Sequence, residues 1–104
     1  MKVYLKTATA SYSAVGEYDL NTKELVVLPG SIVSENISHT MTFTADVRIE
    51  AQRKEFVEGR EVKKPAKFKS PSTAANFVTG RSTNGLISWK DENGKTLKSI
   101  LSEK

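Results

Sequence analysis

Five side chains in the last third of the chain have the chemistry to grip a phosphate. Lys69 and Ser72 come first, Arg81 and Ser82 follow a glycine, and Lys90 follows the only tryptophan, Trp89. Guanidinium and ammonium groups bind phosphate oxygens by charge-assisted hydrogen bonds, and hydroxyls add neutral ones. An indole such as Trp89, if half exposed, stacks on a base. Just upstream lies a basic segment. Residues 47–69 hold eight basic side chains, Lys63, Lys64, Lys67 and Lys69 among them, against Glu50, Glu55, Glu58 and Glu61. That excess equals the formal charge of +4 on the whole chain, so one segment supplies the entire imbalance. A local basic stripe is the footprint of a polyanion binder, and equally of a solvated helix face running into a lysine-rich loop.

Other chemistries find no support. There is no cysteine, so neither a disulfide nor a thiolate metal site can form. His39 is the single histidine and has no local partners that suggest a Ser-His-Asp arrangement. Glu50, Glu55 and Glu58 stand among lysines and arginines, where ion pairing accounts for them, and Asp91 and Glu92 fall in a turn. The run Asn93-Gly94-Lys95-Thr96 hints at a phosphate loop, but the required earlier glycine is replaced by Trp89. The expectation is a protein with no catalytic residues, no metal and no cofactor.

A length of 104 residues predicts one domain, residues 1–104. Lys2 is followed by no apolar stretch of a leader, and no run reaches the roughly 18 apolar residues of a membrane-spanning helix. The expectation is a cytoplasmic protein. Residues 2–28 read as a β-meander, rich in Val, Tyr and Thr, with Tyr12, Ala14, Gly16 and Tyr18 alternating and Pro29-Gly30 ending a strand. Residues 31–45 read as a loop with a short strand.

Residues 43–58 carry two patterns. Phe43, Ala45, Val47, Ile49 and Ala51 alternate as in a strand, whereas "EAQRKEFVE" consists largely of helix formers. A helix over 46–58, closed by Gly59, is preferred. Pro65 predicts an edge strand near Lys67–Lys69. Ser70, Pro71 and Gly80 mark an N-cap, a first helical position and a stop, with Ala74, Phe77 and Val78 on one helical face. Asn84-Gly85 predicts a tight turn with positive φ, after which Ile87 and Trp89 share one side of an extended segment. Thr96 is placed to cap a last helix. The predicted class is α+β, a small antiparallel sheet packed against two or three short helices.

The series Phe68, Ser70-Pro71-Ser72, Ala74-Ala75, Gly80-Arg81-Ser82, Asn84-Gly85, Trp89-Lys90 and Gly94-Lys95-Thr96-Leu97 resembles the signature of the bacterial domain of unknown function 4357. "ELVVLPGSIVS" and "RKEFVEG" are similar to its upstream segments, so the likeness covers about residues 15–101. The tail is also similar to the restriction-associated RAMA module. The resemblance implies nucleic-acid business, because the family often follows GIY-YIG-type nuclease domains or occurs in restriction-associated proteins. The resulting expectation is a non-enzymatic accessory module for DNA or RNA, using Lys63, Lys64, Lys67, Lys69, Ser72, Arg81, Ser82, Trp89 and Lys90. The alternative is a module that docks onto a separate nuclease or methylase. Each signature residue also has a structural reading: caps and turns for Ser70, Pro71, Gly80, Asn84 and Gly85, core for Trp89, and an ion pair with Asp91 or Glu92 for Arg81.

Overall fold

The computed structural model describes residues 1–6, 12–34, 43–80 and 83–102. In chain order the elements are β1 (Lys2–Lys6), β2 (Ser13–Tyr18), β3 (Leu25–Val27), α1 (Phe43–Phe56), β4 (Val57–Glu58), β5 (Glu61–Val62), β6 (Ala66–Phe68), α2 (Pro71–Thr79), α3 (Gly85–Ser88) and α4 (Leu97–Ser102). The class is α+β.

Alternation builds the sheet. Val3 and Leu5 of β1, Ala14, Gly16 and Tyr18 of β2, Leu25 and Val27 of β3, and Ala66 and Phe68 of β6 are all buried. The residues between them point to the opposite face. The four strands pair antiparallel in the order β1-β2-β3-β6, with Gly16 opposite both Val3 and Val27, and Val26 opposite both Glu17 and Lys67. The N-terminal meander is thus present, and β6 lies at an edge immediately after Pro65.

Pro29-Gly30 follows the end of the third strand, as expected, but the chain does not leave the sheet there. Leu28 donates to the Val15 carbonyl, the chain then bulges, and Ile32 pairs with Ser13 two residues further down β2. The buried Ser31 hydroxyl fills the gap, accepting from the Val15 N–H at 3.0 Å and lying 3.3 Å from its carbonyl. Beyond this bulge Ile32 also pairs with Glu61, which ties the β4–β5 hairpin to the main sheet.

The helix expected over 46–58 runs instead from Phe43 to Phe56, and Gly59 serves a different turn. Val57 and Glu58 pair back on Val62 and Glu61, so Gly59, at φ 66°, opens the two-residue loop of a hairpin. The β-branched Val57 and Val62 at that point favour the ladder over another helical turn.

The helix after Ser70 matches its sequence punctuation. Ser70 accepts from the Thr73 N–H, Pro71 takes the first turn, and Gly80 closes the helix at φ 74°. Its Ala74, Ala75, Phe77 and Val78 are wholly buried, and the Phe77 ring lies 5.1 Å from that of Phe68. One hydrophobic cluster extends from Val3 to Leu97. α4 begins as expected, with Thr96 Oγ1 accepting from the Ser99 N–H.

Candidate nucleic-acid interface

Asn84-Gly85 is not a hairpin turn. Asn84 caps α3, its side-chain oxygen accepting from the Leu86 N–H, and Gly85 is the first residue of that short helix. Glycine is needed there because α3 starts against the first turn of α2. A Cβ at residue 85 would lie 2.2 Å from the Pro71 carbonyl carbon and 2.4 Å from the Ser72 nitrogen, both backbone atoms. Ser72 completes the contact, its hydroxyl accepting from the Gly85 N–H at 3.1 Å. The helical turn also separates Ile87 from Trp89, which were expected on one side: Ile87 is 50% exposed and Trp89 is fully buried.

Trp89 therefore offers no stacking surface. Its indole N–H donates to the Pro71 carbonyl at 3.0 Å, a buried bond that fastens the start of α2 to the chain beyond α3. Ser72 and Trp89 thus act within the fold, on the same two turns of backbone. Arg81 and Ser82, with the ion pair suggested for Arg81, lie outside the described residues. Their neighbours are anchored: the Gly80 and Thr83 N–H groups donate to the main-chain and side-chain oxygens of Asn76, each at 2.8 Å. Asp91 is occupied in its turn, accepting from the Asn93 and Lys95 N–H groups.

The basic segment divides into two kinds of residue. Arg53 belongs to the interior. Its guanidinium donates to the Phe77 carbonyl from Nε at 3.1 Å and Nη2 at 2.9 Å, to Val78 O at 3.2 Å, to Ser34 O at 2.9 Å and to the Ser34 hydroxyl at 3.0 Å. The last carbonyls of a helix have no partners within it and carry the negative end of its dipole, so a cation is well placed there. Burial pushes the Arg53 pKa down to about 10, which leaves it charged at neutral pH. Arg60 likewise donates from Nε to the Val33 carbonyl. Nothing in the sequence separates these two from the other basic residues; only the fold does.

The lysines are the second kind. Lys63, Lys64, Lys67 and Lys69 are all exposed, along the connector and β6 at the sheet's edge. Lys63 lies 3.3 Å from Glu61, Lys67 lies 3.2 Å from Glu24, and the Lys64 ammonium sits 5.4 Å from the centre of the Phe56 ring. Such exposed pairs stabilise by at most about 1 kcal/mol. They hold these lysines loosely, and an incoming phosphate can replace either carboxylate.

Lys90 is elsewhere. It pairs with Tyr4 along the outer side of β1, the Tyr4 N–H donating to the Lys90 carbonyl at 2.7 Å and the Lys90 N–H to the Tyr4 carbonyl at 3.0 Å. The predicted residues consequently form no single site: four line the edge beyond β3, Lys90 flanks the opposite edge, and Ser72 and Trp89 are internal.

Among the described residues no helix is long and apolar enough to cross a membrane, and no three His, Cys, Asp or Glu side chains cluster as metal ligands would. No curated protein and no solved structure matches the chain. A family model does match, over residues 4–101: the chain belongs to the domain of unknown function family DUF4357.

Proposed function

We propose that this domain is a non-enzymatic module that binds nucleic acid through the lysine ridge of residues 63–69. The observation that carries the reading is the ridge itself: four exposed lysines and no acidic residue within seven consecutive positions, on the connector leading into β6 and along β6 at the sheet's edge. Phosphate contacts of this kind supply affinity and orientation with little sequence information. Docking onto a nuclease or methylase, the other reading, calls for an exposed apolar patch. Among the described residues the large exposed hydrophobics are Met1 and Ile87, which favours the charged surface.

The test is a fluorescence-anisotropy titration with labelled DNA and RNA at low and physiological salt. Binding should weaken about tenfold or more between the two conditions. A variant with Lys63, Lys64, Lys67 and Lys69 all changed to Glu should lose it while keeping the native circular dichroism spectrum. Full binding by that folded variant, or none by the unaltered protein at low salt, would sink the proposal.

A further inference from the structure

On the outer face of the sheet an aromatic ring stands among lysines contributed by two distant parts of the chain. Val3 and Leu5 are buried at 0% and 3% exposure, so Tyr4 between them lies on the opposite side. It is half-buried there, not enclosed. Lys2 lies two residues before it on the same face of β1. Lys90 stands directly beside Tyr4 through their backbone pair, and its side chain is exposed while the adjacent Trp89 is buried in the core. Directly across from Tyr4 on β2 is Val15, so the Lys90–Tyr4–Val15 row contains no acid. Glu17, the nearest acid on β2, lies opposite Lys2.

We infer that Tyr4, with Lys90 and Lys2, is a base-stacking platform, and that the nucleic acid this domain takes is single-stranded. The inference rests on the nucleic-acid reading given above and goes beyond it in naming a second contact surface and the form of the ligand. An aromatic face flanked by ammonium groups suits an unpaired nucleotide, because the base stacks while its neighbouring phosphates meet the lysines. In a duplex the bases are stacked on each other, and sequence is read by a helix or ribbon that enters a major groove about 12 Å wide. The outer sheet face presents no such projection among its described residues, and a duplex lying on it would leave Tyr4 without a base. β1 and β6 are three strand spacings apart, about 14 Å. A single strand crossing the sheet would therefore pass from the platform, over β2 and β3 where Glu17 and Val26 face outward, to Lys67 of the ridge.

The experiment compares a fluorescein-labelled oligothymidylate with a duplex of equal length, at low salt, against the unaltered chain and the variants Tyr4→Leu, Tyr4→Phe and Lys90→Glu. The single strand should bind more tightly than the duplex. Tyr4→Leu should cost the single strand about tenfold in affinity while leaving the duplex unchanged, and Tyr4→Phe, which keeps the ring, should retain single-strand binding. Should Tyr4→Leu fail to fold, Lys90→Glu decides, and a several-fold loss confined to the single strand is expected. Equal affinity for both ligands, indifferent to Tyr4→Leu and Lys90→Glu but abolished by reversing the 63–69 lysines, would overturn the platform and leave the ridge standing. No binding to either ligand would overturn both.

Discussion

The segment from Ser70 to Leu97 and the outer surface of the sheet differ in what their residues are used for. In the first, the distinctive residues are internal: Ser70 caps, Ser72 receives the Gly85 N–H, Gly85 admits the α2 backbone, and Trp89 reaches back to Pro71. In the second, common residues in an ordinary alternation leave Tyr4, Lys67 and Lys90 facing outward. The contrast teaches that an unusual motif can signify a tight joint in the fold, while the proposed binding surface is assembled from residues with no signature.

That contrast can be broken by substitution, and the joint should give the largest effects. Trp89→Ala empties a fully buried site and orphans the Pro71 carbonyl, so denaturant titration should show a loss of about 4 kcal/mol. Gly85→Ala drives a methyl group into the backbone of Pro71 and Ser72, and about 3 kcal/mol should be lost in the same assay. A neutral Gly85→Ala would show that the two helices do not approach as closely as described. Arg53→Met keeps much of the side-chain volume but removes the guanidinium donors to the Phe77 and Val78 carbonyls; a cost of about 2 kcal/mol is expected, and none would place Arg53 with the dispensable basic residues. Reversing Lys63, Lys64, Lys67 or Lys69 singly should move stability least, by about 0.5 kcal/mol or less, in the same denaturant titration.

Much of this was legible in the sequence. Alternation gave the meander, and Ser70, Pro71 and Gly80 gave α2, because those signals act over a few residues. Asn84-Gly85 misled because an Asn side chain caps a helix as readily as it begins a turn, and the reason for the glycine is a neighbour thirteen to fourteen residues earlier. The helix at 46–58 was placed correctly in kind but overran into β4, whose partner β5 lies past Gly59. In the basic segment, Arg53 and Lys54 are adjacent in sequence and opposite in fate, one reaching the carbonyls of α2 and the other exposed. The sequence does not single out Tyr4, because Lys90 comes to stand beside it only on folding. The alternation of Lys2, Tyr4 and Lys6 with Val3 and Leu5 was the available signal.

The short edge strand β6 has a consequence of another kind. An open strand edge is a template on which a second copy of the chain can add its own strand and begin to aggregate. Here that edge is three residues long, is preceded by Pro65, which has no N–H to offer, and carries the charge of Lys67 with Lys69 just beyond. A short, charged edge of this kind disfavours strand addition by a second copy. Replacing its lysines with neutral residues would remove the charge and expose a sticky edge together, whereas replacing them with glutamates keeps the copies mutually repellent and changes only the sign seen by a ligand.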